Sequence, residues 1–113
     1  MGQRIPEYSY ADFNRVLQRE FPGGAGKEAL SVLQTFSEGQ WQGGSLRVHM
    51  ACLKLANGNI ASLRKYIQAA CGDPRDVIAW AEYGSYMKAK DPSSQQAAIE
   101  QDWQELQEWL AHT

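Results

Sequence analysis

His49 and Cys52 lie three residues apart, a spacing at which two side chains on one helix can meet. A thiol beside an imidazole is the smallest nucleophilic pair a protein can build. Using the thiol, however, requires something that lowers its pKa, such as an electropositive helix N-terminus or a glycine elbow. The flanking Met50-Ala51-Cys52-Leu53 offers neither. His49 therefore reads as a satisfied, partly buried imidazole, and Cys52 and Cys71 as buried free thiols in apolar helical patterns. Pro22-Gly23-Gly24-Ala25-Gly26-Lys27-Glu28 has the look of a phosphate-binding loop, but that motif needs glycine where Phe21 stands and a hydroxyl where Glu28 stands. It reads as an interhelical turn. The only histidines are His49 and His112, and no CxxC pair occurs, so zinc-ligand spacing is missing. Asp73 and Asp76 are explained by helix capping. No catalytic, cofactor or metal residue is assigned.

The elements that must carry these residues are helical. Ser9 with Asp12 resembles a capping box, with Tyr8 and Phe13 as a hydrophobic staple, and Phe13, Val16, Leu17 and Phe21 make one face. A second helix is predicted over 25–37, with Ala29, Leu30, Leu33 and Phe36 inward and Gly39 at its end. The segment 45–56 is apolar on two sides, Leu46, Met50 and Leu53 on one and Val48, Cys52 and Leu55 on the other, which marks a central helix buried between neighbours. The remaining strips are Arg47, Ala51 and Lys54 on one edge and His49 with Ala56 on the other. Asn57-Gly58-Asn59 is a tight turn into a helix over 60–71, whose face is Ile60, Leu63, Ile67 and Cys71, with Gly72 as terminator. Asp73-Pro74-Arg75-Asp76 starts a fifth helix carrying Val77, Trp80, Ala81 and Met87, with Gly84-Ser85 as a break point. Asp91-Pro92 starts a sixth, with Ile99, Trp103, Leu106 and Leu110 as its packed stripe. The expected fold is all-α, a bundle of five to six short helices in one domain over 1–113.

Composition agrees with a globular chain: 113 residues, 43% hydrophobic and 21% charged. The start carries neither a leader-like apolar run nor a myristoylation motif, since Pro6 occupies the Ser/Thr position. No stretch approaches the length of a membrane span. A cytoplasmic setting with no membrane partner is the expectation. The net charge of −2 hides an uneven layout. Between Gly39 and Gly72 the charged residues are all basic (Arg47, Lys54, Arg64, Lys65), and from Asp91 onward they are all acidic (Asp91, Glu100, Asp102, Glu105, Glu108). Either the acidic last helix packs near the basic middle, or one of the two faces a partner of opposite charge.

The elements Arg47-Val48, Leu53-Lys54-Leu55-Ala56, Gly58, Leu63 and Asp73-Pro74-Arg75-Asp76-Val77-Ile78-Ala79-Trp80-Ala81-Glu82-Tyr83 carry a resemblance. The chain is similar to a family of short bacterial helical proteins of unknown function with an "LKLAxG…DxRDVxAWAEY" signature. In those relatives the final Tyr is often followed by Pro, where this chain has Gly84. The resemblance implies bacterial origin and a shared core, and it brings no catalytic residues. It also draws attention to Arg75 and Glu82, which a buried arginine–carboxylate arrangement would explain.

Three functional readings remain. The first is a small non-catalytic protein-interaction module, an adaptor or a neutraliser of another protein, with Trp41, Arg64, Lys65, Glu105 and Trp109 as candidate contacts. An alternative is a nucleic-acid-binding regulator that uses 45–71 as a helix-turn-helix-like hairpin, although its basic set is thin and the pI is near 5.6. The third is an enzyme using Cys52 with His49.

Overall fold

Ser9 opens the first helix, α1 (Tyr10–Glu20), and the capping box forms: its hydroxyl accepts the Asp12 N–H at 3.0 Å, and the Asp12 carboxylate accepts the Ser9 N–H at 3.1 Å. These bonds to Ser9 hold the Asp12 carboxyl below the usual carboxylate range. The structure, a computed structural model, describes residues 7–36 and 45–111. Within these the helices are α1, α2 (Ala25–Leu33), α3 (Ser45–Ala56), α4 (Ile60–Gly72), α5 (Pro74–Glu82) and α6 (Pro92–Ala111), with a short 3-10 helix at Tyr86–Lys88. The described residues contain no strand, and the fold is an all-α bundle.

The predicted face of α1 is realised, with Phe13, Val16, Leu17 and Phe21 all buried. α2 is shorter than its periodicity suggests. Past Leu33 the backbone tightens to three-residue hydrogen bonds, Thr35 N–H to Val32 O and Phe36 N–H to Leu33 O, while the Thr35 hydroxyl also bonds the Val32 carbonyl at 2.7 Å. A side chain competing for backbone in this way favours a turn over another helical turn. The turn delivers Phe36 fully into the core. The expected end at Gly39 lies outside the described residues. Gly26 has a packing reason, since a Cβ there would stand 3.0 Å from the Phe21 carbonyl oxygen. The glycine-rich segment thus brings α2 close against the end of α1.

α3 is the central helix, with bounds matching those predicted. It packs against α1, α4 and α5, and Val48, Met50, Cys52 and Leu53 are fully enclosed. Its predicted polar edges close as well, because Ala51 and Ala56 are buried. Leu46 and Leu55, by contrast, are only half-buried against the core. At the turn after α3, Asn57 (φ +51°) and Gly58 (φ +78°) both take the left-handed conformation, one suited to glycine and tolerated by asparagine. Asn59 then caps α4 through the Ser62 N–H.

Two expectations for α4 are corrected. Cys71 is exposed rather than buried. The inward face is Leu63, Ile67 and Ala70, which places residue 71 on the rim, where its thiol lies 3.9 Å from the Thr35 carbonyl. Gly72 is helical and does not adopt a left-handed cap. The chain stops instead at Asp73, whose extended backbone (φ −152°) is the conformation favoured before proline. Asp73 ends α4 and caps α5.

The strongest polar contact of the core joins α3 to α5. Arg47 donates Nη2–H to Glu82 Oε1 at 2.6 Å and Nε–H to Oε2 at 3.0 Å, a two-pronged pair whose carboxylate side chain is 3% exposed. Tyr8 and Tyr83 lie close enough for Glu82 to influence them, and burial, reinforced by that carboxylate, pushes both phenols above their ordinary pKa. The arginine–carboxylate arrangement anticipated for Arg75 and Glu82 thus has a different donor. Arg75 is at the surface, bound to the capping Asp73 at 3.1 Å.

The predicted stripe of α6 is realised at Leu106 and Leu110 and shifted at Ile99 and Trp103. Ala98, Asp102 and Leu106 are buried, Trp109 and Leu110 pack on the core, and Ile99 and Trp103 are half-buried. Asp102 is inward because its two oxygens accept the backbone N–H groups of Ser85 and Tyr86, both at 3.0 Å, capping the 3-10 helix from another element.

Candidate interaction surface around Trp80

α5 is started by Asp73, whose side chain accepts the Arg75 N–H, with Pro74 in the first turn. Its inward residues are Val77, Ile78, Ala81 and Glu82. The middle of that set lies roughly 130° around the helix from Trp80 at 3.6 residues per turn. Trp80, expected in the core, is therefore turned outward and is 42% exposed. Met87, the other expected core residue, is 54% exposed, because the break at Gly84 and the tighter 3-10 turn abolish the helical period before it.

Trp80 does not stand alone. The Tyr66 ring on α4 meets it edge-on, with centroids 6.2 Å apart, and the Lys65 ammonium sits 5.5 Å from the Tyr66 ring centre. Trp80 also borders a pocket of about 220 Å³, lined as well by Lys54, Gly84, Ser85, Lys88, Asp102 and Glu105. Four elements meet here: α3 supplies Lys54, α5 the indole, the 3-10 helix Lys88, and α6 the two carboxylates. Asp102 is occupied by the two N–H groups it caps, and Glu105 accepts a bond from Gln101 at 3.1 Å.

The candidate contacts read from sequence are scattered by the fold. Glu105 lines the pocket that Trp80 borders, and Lys65 reaches the ring of Tyr66, which abuts the indole. Arg64 turns toward α2 and pairs with Glu28 at 3.2 Å, with both side chains more than half exposed. Trp109 is half-buried against the core. Arg19 lies 5.0 Å from its ring centre and donates to its backbone carbonyl at 2.6 Å, placing a cation at the C-terminal end of α6, where unpaired carbonyls gather. Trp41 lies outside the described residues, as does His112. The acidic last helix does approach the basic middle, but only at Lys54; Arg47 and Arg64 are matched by Glu82 and Glu28 instead.

Cys52 and His49 are both held by packing. Burial pushes the Cys52 thiol up to about 12, the opposite of what a nucleophile needs. His49 donates Nε2–H to the Phe36 carbonyl at 2.8 Å between the rings of Phe13 and Phe36, and burial lowers its pKa from the ordinary 6.5. Among the described residues, no three His, Cys, Asp or Glu side chains gather as metal ligands would, and no helix is long and apolar enough to cross a membrane. Neither a protein-family model, a curated protein nor a solved structure matches this chain.

Sequence reasoning missed Trp80, Lys54 and Lys88. A signal for Trp80 was present: choosing Ile78 for the inward face of α5 in place of Trp80 gives a contiguous stripe with Val77 and Ala81 and turns the indole outward. No comparable signal existed for the lysines, which come together only through the packing of α3 and the 3-10 helix around α5.

Proposed function

We propose that this protein is a small non-catalytic interaction module that binds another protein through the face centred on Trp80. The observation that carries this reading is the exposed indole itself, supported edge-on by Tyr66 and bordered by a polar pocket. Tryptophan is among the residues that most often dominate binding energy, and it does so best beside a pocket with a polar rim. The structural roles of Cys52 and His49 support the same reading. A cytoplasmic setting goes with it, in keeping with two cysteines that are both free thiols.

Affinity purification of the full chain from its native host tests the proposal. A defined partner in fixed stoichiometry is expected with the wild type and with Trp109→Phe, and its loss with Trp80→Ala. Absence of any stoichiometric partner overturns the reading.

A second reading, a nucleic-acid-binding regulator, draws on Arg64 and Lys65, both exposed on α4. It requires a gel shift that weakens when both are replaced by alanine and falls steeply with salt.

A further inference from the structure

The cations of this protein divide into two populations. Each arginine among the described residues has a carboxylate partner: Arg15 with Asp12, Arg19 with Glu20, Arg47 with Glu82, Arg64 with Glu28 and Arg75 with Asp73. The five lysines, Lys27, Lys54, Lys65, Lys88 and Lys90, have no such ion pair among the described residues, and three of them, Lys54, Lys65 and Lys88, lie near Trp80. Lys54 and Lys88 line the pocket beside the indole, and Lys65 rests on the ring of Tyr66, which itself abuts the indole. Two carboxylates share the site. Asp102 is buried with both oxygens occupied by backbone N–H groups, which leaves Glu105 as the one carboxylate facing the pocket that backbone does not already claim. Counted with both carboxylates, the three lysines still leave one positive charge in excess beside the most exposed tryptophan among the described residues, in a chain of net charge −2.

From this charge pattern we propose that the Trp80 face receives a short acidic segment of a partner protein, one that places a bulky apolar side chain against the indole and carboxylates beside Lys54, Lys65 and Lys88. The proposal rests on the interaction-module reading and specifies its partner. Lysine suits the task because an ammonium is a point charge on a flexible stem that can follow a carboxylate, whereas each arginine here already has a carboxylate neighbour. The long lysine stems also extend the apolar floor around the indole.

The test is a nuclear magnetic resonance titration of the full chain, reading the Trp80 indole N–H. The probes are a pool of short peptides alternating Asp or Glu with Leu or Phe, the matching pool with Lys in the acidic positions, and a random-sequence DNA duplex. A saturable shift is expected with the acidic pool alone, weakening at least about tenfold from low to near-molar salt as the exposed charges are screened. The same shift is expected to vanish in Lys65→Glu/Lys88→Glu, whose two sites are at the surface, so that loss cannot be put down to a broken core. No shift with the acidic pool, an equal shift with the lysine pool, or a stronger one with DNA overturns the proposal. A partner from the native host that still binds Lys65→Glu/Lys88→Glu and Trp80→Ala would overturn this assignment while leaving the module reading intact. Absence of any partner would remove that reading and this inference together.

Discussion

Trp109 and Trp80 are the same residue in opposite circumstances. Trp109 stands on α6 with the Arg19 guanidinium over its ring and its carbonyl bonded to the same arginine, so the end of α6 is closed onto α1. Trp80 stands on α5 against the edge of a tyrosine and beside a pocket, and among the described residues it remains 42% exposed. The difference extends to the regions around them. The seam joining α1, α3 and α5 uses its charges internally, as Arg47 does with Glu82, while the face shared by α4, α5 and the 3-10 helix leaves lysines unmatched. A side chain's role here follows from whether neighbouring elements complete its environment.

The largest effect is expected at the closed region. Glu82→Ala leaves the Arg47 guanidinium without its carboxylate in a mostly dry seam, and denaturant unfolding should show a loss of about 3–5 kcal/mol. A loss below about 1 kcal/mol would mean that the seam tolerates an unmatched charge and is not closed in the sense argued here. The tryptophans give the direct contrast. Trp109→Ala should cost about 2–3 kcal/mol, below the full-burial range because the ring is only partly enclosed, whereas Trp80→Ala should cost less than about 1 kcal/mol. Equal losses would erase the distinction between them.

Acidification probes the closed region more gently. Folded His49 holds its proton less tightly than it would in the unfolded chain. Below pH 6.5 the unfolded state therefore binds more protons, so stability is full above that pH and declines as pH falls through the depressed folded pKa. Unfolding midpoints compared between neutral and mildly acidic buffer should show this decline, and His49→Gln should flatten it across that interval. The smallest effect belongs to the exposed pair: Arg64→Ala breaks the contact with Glu28 but should change stability by about 0–1 kcal/mol, and less in high salt.

Much of the architecture was legible in the chain. Ser9 with Asp12, Asn59, Asp73-Pro74 and Asp91-Pro92 mark helix starts by local chemistry, and α3 emerged as the centre because apolar residues line it on two sides. What failed shares one cause. The stripe on α6 was read from hydrophobicity, which passes over Asp102, yet that carboxylate is inward because it caps backbone from a segment sixteen residues earlier. Cys71 and Trp80 were drawn into faces that looked apolar on paper, while Ala70 and Ile78 took the inward positions.

By itself, then, the sequence determined that this chain is helical, where most of its helices begin, and that 45–56 runs through the middle. These follow from capping groups, prolines and apolar periodicity, all of which act within a few residues along the chain. Only the tertiary structure decided that Arg47 rather than Arg75 meets Glu82, that Trp109 is closed and Trp80 open, and that Lys54, Lys65 and Lys88 share one surface. Those outcomes depend on which helix faces meet across long sequence separations, where a rotation of one position changes the partner of every side chain.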